Sequence, residues 1–220
     1  MVRAVIFDMD GVLVDTEFTY QQLELAFFRA HGVNLSVEEA AAVAGGSSQE
    51  YERAVERWWR RASLIAPEER GRSPIDLVDT MFQQDMPPLE SLAMPGLSET
   101  LATLASAGIR LAVASSSRRD EIETTLTACG VRKRFEAVVG GDEVPATKPN
   151  PAVYLRALEL LGLDAEQCVA VEDSDKGIAA ARAAGLRVVV RRETRIPFEQ
   201  RGGTWYVNRL MDVAAIVADA

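Results

Sequence analysis

Five short segments of the chain are apolar at almost every position. They are rich in β-branched residues, and they stop at polar or glycine-containing turns. Such near-continuous apolar runs are typical of strands in a parallel sheet that is covered on both faces. The pattern therefore predicts strands over residues 3–7, 110–114, 137–139, 168–171 and 186–190.

Segments with helical periodicity alternate with the last four of these strands. They cover residues 97–107, 120–129, 150–162 and 177–184, and each ends at or beside a glycine. A glycine at that position suits the left-handed residue that closes many helices. The alternation of helix and strand from residue 97 to residue 190 predicts an α/β fold with a doubly wound parallel sheet, a Rossmann-like core.

The region between residues 16 and 93 breaks this alternation, because it contains almost no strand-like run. Helical patterns cover residues 16–31, 36–44, 47–62 and 74–85, and a Met-Pro-Gly break at residues 94–96 follows them. We therefore predict an α-helical cap, residues 16–93, inserted into an α/β core that consists of residues 1–15 and 94–220.

Charge and composition narrow the classes of partner. The chain of 220 residues has a formal net charge of -9 and no extended basic cluster, which argues against a nucleic-acid-binding protein. The apolar run near the start meets Asp8 after four residues, too few for a secretory signal, and no run approaches the roughly 18 residues that span a bilayer. We expect a cytoplasmic protein, a monomer or a homodimer, that binds a small metabolite and no membrane.

The first predicted strand ends in two carboxylates, Asp8 and Asp10. Such closely spaced carboxylates repel each other and are costly to desolvate. A Mg²⁺ ion would cancel the repulsion, because hard cations prefer oxygen ligands. Gly11 allows the sharp turn that leads the chain away from the strand.

Three more polar motifs follow predicted strands. Three serines, 115–117, come after the second strand, and Glu172 and Asp173 come after the fourth. Lys148, one of only three lysines in the chain, lies in a Lys-Pro-Asn-Pro segment between them. Taken alone, each motif is also compatible with a turn, a helix cap or an exposed loop. Together they stand at the carboxyl ends of parallel strands, where open α/β sheets place their ligand sites.

The segment FDMDGVLVDT at residues 7–16 resembles the first motif of the haloacid dehalogenase superfamily of phosphohydrolases, Asp-x-Asp-Gly-x-x-x-Asp. The other motifs follow in the family's order, so the resemblance covers the whole chain and extends to the β-phosphoglucomutase-like and phosphoglycolate phosphatase-like subgroup. It implies that Asp8 is a nucleophile that forms an aspartyl-phosphate. It further implies that Asp10 transfers protons, that Ser115 binds the phosphoryl group, and that Lys148 neutralises charge.

The same resemblance implies a Mg²⁺ cofactor and a set of substrate contacts. Asp8, Asp173 and the main-chain carbonyl of Asp10 are the expected metal ligands, with Glu172 as a direct ligand or a support for one. Substrate contacts are expected from a group that follows the second strand and from a loop of the cap: Ser116, Ser117 and Arg118, and Gly46, Ser47 and Gln49.

Comparison among relatives of this family favours a hydrolase. Dehalogenases lack the second aspartate, and phosphonoacetaldehyde hydrolases need a cap lysine, whereas the first lysine here is Lys133. Phosphomutases carry a histidine and an arginine where Tyr20 and Gln49 stand, although Arg53 or Arg57 remains open as a substitute. We predict a phosphatase acting on a sugar or sugar-acid phosphate, with a phosphomutase as the alternative. A non-enzymatic phospho-acceptor or binding module is the alternative from another class.

Overall fold

The computed structural model describes residues 1–44 and 48–220, apart from the side chain of Ser48. Six strands form one parallel sheet in the order β3-β2-β1-β4-β5-β6. Their bounds are β1 Ala4–Phe7, β2 Arg110–Ala114, β3 Ala137–Val139, β4 Cys168–Glu172, β5 Arg187–Arg191 and β6 Trp205–Val207. The predicted doubly wound α/β fold is confirmed, and five of these strands match the predicted ones within one residue. The sixth, at the edge of the sheet, was not predicted.

The register of the central strand explains why the polar motifs meet. Phe7 of β1 lies opposite Val113 of β2 and Val171 of β4. The residues that follow these three positions therefore emerge from the same edge of the sheet at the same height. In this way the register brings Asp8 and Glu172 to the same level, and Ser115 follows one residue later, after Ala114.

Nine α-helices lie in the described residues: α1 Thr16–Ala30, α2 Val37–Ala41, α3 Ser48–Trp59, α4 Pro74–Asp85, α5 Leu97–Ser106, α6 Arg119–Ala128, α7 Ala152–Leu161, α8 Asp175–Ala183 and α9 Val213–Asp219. Two hydrophobic clusters cover the two faces of the sheet, because the side chains of β1 alternate between them. Val5 and Phe7 pack with α5, α6 and α9, whereas Ala4 and Ile6 pack with α7 and α8.

Helices α1 to α4 form a separate cluster in the region predicted as the cap. Its centre is the buried indole of Trp58, which makes an edge-to-face contact with Phe28 at 5.5 Å between ring centroids. Trp59 is only half-buried and packs on Phe27 and His31. In the ranges 1–44 and 48–220, no helix combines the length and apolarity that crossing a bilayer requires.

The two chain segments that connect the helical region to the core run side by side. The N–H of Asp15 donates to the carbonyl of Leu92 at 2.7 Å, and the N–H of Met94 donates to the carbonyl of Leu13 at 2.9 Å. Asp15 directly precedes α1 but makes no side-chain cap hydrogen bond. Its carboxylate instead accepts two hydrogen bonds from Arg195, at 2.7 and 2.6 Å.

Candidate active site

A buried lysine lies between two buried carboxylates at the carboxyl edge of the sheet. Lys148 Nζ donates to Asp8 Oδ1 and to Glu172 Oε1, both at 2.6 Å. The exposed fractions of the Asp8, Lys148 and Glu172 residues are 7%, 4% and 0%. Because an isolated buried charge is very costly, this ion triad requires all three members.

The charges of this triad affect the pKa values of Lys148 and Asp8. Burial alone would lower the pKa of Lys148, but the charges of Asp8 and Glu172 outweigh it and raise that pKa above its ordinary value. Burial raises the pKa of Asp8 well above its usual range, and Glu172 and Asp10 add to the rise while Lys148 opposes it. Lys148 is therefore the residue that favours the anionic, nucleophilic form of Asp8.

Asp173 carries a third buried carboxylate, next to this triad. Asp8, Glu172 and Asp173 each offer one oxygen, and these oxygens lie within 4.8 Å of one another. Burial, together with Glu172 and Asp8, raises the pKa of Asp173 well above normal. Among the described residues, Asp173 Oδ2 has no hydrogen-bond partner. An oxygen-rich, electron-rich set with an unpaired buried oxygen fits a hard divalent cation such as Mg²⁺.

Glu172 differs from the other two acids, because protein donors occupy both of its oxygens. Oε1 accepts from Lys148 and from the hydroxyl of Tyr154, each at 2.6 Å, and Oε2 accepts from the N–H of Asp173 at 3.1 Å. Gly177 packs so closely that a Cβ there would lie 2.0 Å from Oε1. The side chain of Glu172 is thus fixed in the position that holds Lys148.

Asp10 lies outside the ion triad and faces the cleft. Its Oδ1 accepts from the hydroxyl of Thr16 at 2.6 Å, and its Oδ2 accepts from the hydroxyls of Ser117 at 2.7 Å and Ser115 at 3.4 Å. Three hydroxyls therefore orient this carboxyl group beside Asp8. Such a group can donate or accept a proton at the edge of the cleft.

The structure separates the expected substrate contacts into three groups. Ser117 is bound to Asp10, whereas the hydroxyl of Ser116 is buried at the cleft without a partner among the described residues. Arg118 lines the cleft and pairs with Asp120 at 3.2 Å, both largely exposed. Gln49 is exposed near the start of α3, and the structure does not bring it into the lining described for the cleft. Gly46 and Ser47 lie outside the described residues.

A cleft of about 680 Å³ separates these groups from the helical region. The helical region contributes an apolar part, Val43, Ile75 and Phe82, and a polar part, Gln21, Glu24 and Tyr51. Tyr20 also lines the cleft and makes an edge-to-face contact with Phe82, with 4.9 Å between the ring centroids. Burial and the charge of Asp10 raise the pKa of Tyr20 to about 12, so its hydroxyl stays protonated.

The last residue of β5 and the segment that follows it make hydrogen bonds to the loops of the site, and we did not identify them from the sequence. Arg191 Nε donates to the carbonyl of Gly11 at 2.6 Å, and the side-chain amide of Gln200 donates to the carbonyl of Asp173. Arg195 joins Asp15 to Glu193. Tyr154 was missed as well. The sequence around these residues gives no local pattern that predicts their roles, because each one contacts residues that are distant in the chain.

Comparison with known proteins gives consistent matches. The family model of haloacid dehalogenase-like hydrolases matches residues 2–185. Protein CbbY of Rhodobacter capsulatus is 34% identical over 201 residues, which cover 86% of this chain and 85% of CbbY. Hexitol phosphatase B of Escherichia coli (strain K12) is 30% identical over 191 residues, with coverages of 86% and 83%. The crystal structure of CbbY from Rhodobacter sphaeroides in complex with phosphate superposes with a TM-score of 0.75 at 28% identity, covering both chains fully.

The contact between Gly177 and Glu172 predicts a large steric effect. We expect Gly177→Ala to displace the Glu172 carboxylate and lower the free energy of unfolding by about 3–5 kcal/mol, the usual effect of breaking a buried ion pair. Gly108→Ala is the matched control, since its added Cβ meets no atom within 4 Å and only its φ of +76° is unfavourable. We expect Gly108→Ala to lower the free energy of unfolding by only about 1–2 kcal/mol. If urea unfolding shows the same loss of stability in Gly177→Ala and Gly108→Ala, the close contact between Gly177 and Glu172 does not have the predicted effect.

The buried Glu24 predicts a pH dependence of stability. Burial raises its pKa from 4.5 to about 7, against a smaller opposing effect of the nearby Tyr51 hydroxyl. A raised folded-state pKa gives stability that is complete below the unfolded pKa and is lost as the pH rises through the folded one. From pH 4.5 to above 7, the wild type should therefore lose on the order of 3 kcal/mol relative to Glu24→Gln.

The matched control for this measurement is Glu56→Gln, which removes an exposed carboxylate of α3. The difference between wild type and Glu56→Gln should stay constant across the same range. Urea unfolding at a series of pH values measures both differences. A constant difference between wild type and Glu24→Gln would show that Glu24 titrates normally.

Proposed function

The chain belongs to the haloacid dehalogenase-like hydrolase family and is a phosphoric monoester hydrolase, and we propose that it hydrolyses a sugar or sugar-acid phosphate through an aspartyl-phosphate on Asp8. The observation that carries the proposal is the hydrogen bond between Lys148 Nζ and Asp8 Oδ1, 2.6 Å long, beside the hydroxyl-held carboxyl of Asp10. This pairing supplies a charged nucleophile and a proton-transfer group on one side of one cleft.

The first half of the reaction forms the covalent intermediate. A carboxylate oxygen of Asp8 attacks phosphorus, and the bond from phosphorus to the leaving oxygen breaks in line. Asp10 gives its proton to the leaving oxygen, which departs as an alcohol. In this proposal, Lys148 and the main-chain N–H of Ser116 stabilise charge on the phosphoryl group, and Ser115 donates a hydrogen bond to it.

The second half reverses the proton transfer. The carboxylate of Asp10 removes a proton from a water molecule, whose oxygen attacks phosphorus. The bond from phosphorus to Asp8 breaks, and inorganic phosphate leaves with the Asp8 carboxylate restored. Asp10 ends the cycle protonated, as it began, so the scheme needs no further reactant.

Asp8, Asp173 and the main-chain carbonyl of Asp10 are the proposed ligands of Mg²⁺. When bound, this ion would neutralise the carboxylates and the phosphoryl oxygens. Glu172 acts in this proposal through Lys148, since its own oxygens already accept protein hydrogen bonds. The cytoplasmic location and the monomeric or dimeric state stay predictions.

Phosphate release from p-nitrophenyl phosphate and from a panel of sugar phosphates tests the proposal. We expect release with Mg²⁺, none with EDTA, and a loss of at least 10³-fold in Asp8→Asn, since removing a covalent nucleophile removes the main reaction path. Asp85→Asn is the matched control, because Asp85 is an exposed residue at the end of α4.

The assay has two outcomes that contradict the proposal. Well-folded protein that releases phosphate from no ester would exclude a phosphatase. Equal rates in Asp8→Asn and in the control would exclude Asp8 as nucleophile. Conversion of glucose 1-phosphate to glucose 6-phosphate, without net phosphate release, would favour the phosphomutase instead.

A further inference from the structure

We propose that Gln21, Glu24 and Tyr51 form a subsite that binds hydroxyl groups of an uncharged polyol part of the substrate, so that the enzyme selects monophosphates over bisphosphates and sugar-acid phosphates. The inference rests on the proposed phosphatase function and specifies which of its candidate substrates the cleft accepts. Gln21, Glu24 and Tyr51 together form the cap triad.

Unpaired polar atoms identify the cap triad as a binding site. Gln21 Oε1, Glu24 Oε1 and the hydroxyl of Tyr51 are buried atoms that make no hydrogen bond of ordinary geometry to the described part of the chain, although the Tyr51 hydroxyl lies near enough to Glu24 to lower the pKa of that carboxyl. The exposed fractions of Gln21 and Glu24 are only 5% and 4%, yet both residues line the cleft. A buried polar group without a hydrogen bond destabilises the folded protein. A ligand that forms hydrogen bonds with these groups removes that cost, which makes its binding free energy more favourable.

The donors and acceptors of the cap triad match those of a hydroxyl group. The amide nitrogen of Gln21 donates to the carbonyl of Val37 at 3.5 Å, which leaves Oε1 to accept from the cleft. The phenol of Tyr51 both donates and accepts, and burial first, then the charge of Glu24, raises its pKa and keeps it protonated. Glu24 accepts when ionised and also donates when protonated. A polyol hydroxyl, which both donates and accepts, satisfies each of these groups.

The charges around the cap triad disfavour a second anionic group. Glu17, Glu52 and Asp79 line the same cleft, so its helical side carries four carboxylates with Glu24. The cations described in the lining are Lys148, which is held between Asp8 and Glu172, and Arg118, which pairs with Asp120. Residues 45–47, which the structure does not describe, are Gly-Gly-Ser and add no cation.

The apolar part of the cleft fits the same class of ligand. Val43, Ile75 and Phe82 lie on the helical side together with the cap triad. A polyol chain presents C–H groups between its hydroxyls, and these can pack on the apolar surface while the hydroxyls pair with the triad. A carboxylate or second phosphate has no such apolar part and would lose its hydration without gaining a cation.

The test compares kcat/KM for phosphate monoesters whose leaving groups differ in size, hydroxyl content and charge. Methyl phosphate serves as the baseline, because its leaving group is too small to contact the cap triad. We expect kcat/KM for sorbitol 6-phosphate to exceed that for fructose 1,6-bisphosphate and for phosphoglycolate by tenfold or more. This ratio corresponds to about 1.4 kcal/mol, the order of one or two hydrogen bonds.

Two variants assign the preference to the cap triad. Tyr51→Phe and Glu24→Leu should each lower kcat/KM for sorbitol 6-phosphate about three- to tenfold, with methyl phosphate changed less than twofold. Tyr51→Phe removes a single oxygen, which guards against a folding defect. Glu56→Gln, the exposed carboxylate of α3, should leave both substrates unchanged.

The outcomes separate failure of the subsite from failure of the phosphatase proposal. Hydrolysis of methyl phosphate with equal kcat/KM for sorbitol 6-phosphate and the bisphosphate would overturn the subsite alone. Equal losses on sorbitol 6-phosphate and methyl phosphate in both variants would give the cap triad a purely structural role and also overturn it. If the protein hydrolyses none of these esters, the phosphatase proposal is wrong, and the proposed subsite is wrong with it.

Discussion

The ion triad of Asp8, Lys148 and Glu172 is the interaction on which the rest of the site depends. Three ionisable side chains lie buried next to one another, and removing any one of them would leave an uncompensated buried charge. The parallel sheet supplies the geometry, because its register brings the ends of β1 and β4 to the same height. Tyr154 and the tight approach of Gly177 then hold Glu172, which fixes the lysine and, through it, the nucleophile.

Most of the fold follows from local patterns. β1, β2 and β4 are buried at nearly every position, so their apolar runs stand out against the amphipathic helices between them. The edge strand β6 escaped prediction because it has three residues, of which Trp205 is half-buried and Tyr206 is exposed. An edge strand has only one neighbour and needs no continuous apolar run.

The site was predictable only where its residues form a motif next to a strand end. Asp8 and Asp10 lie in one loop directly after a buried strand. Two closely spaced carboxylates in such a place are typical of a metal-binding or catalytic site. Tyr154, Arg195 and Gln200 act on residues that lie 18 to 180 positions away in sequence. Their contribution depends on tertiary packing, for which a single sequence has no local pattern. The same holds for the cap triad, whose members come from two different helices, α1 and α3.

The most direct test of the account is to trap phosphate on Asp8. Asp10→Asn and wild type would be mixed with p-nitrophenyl phosphate and Mg²⁺, quenched in acid, digested and analysed by mass spectrometry. Because the nitrophenolate leaves without help from an acid, the variant should still be phosphorylated but should lack the base for hydrolysis. We predict a phosphorylated Asp8 peptide that accumulates in Asp10→Asn and decays more slowly than in wild type. Phosphate on another residue, or none while nitrophenol is released, would contradict the central claim.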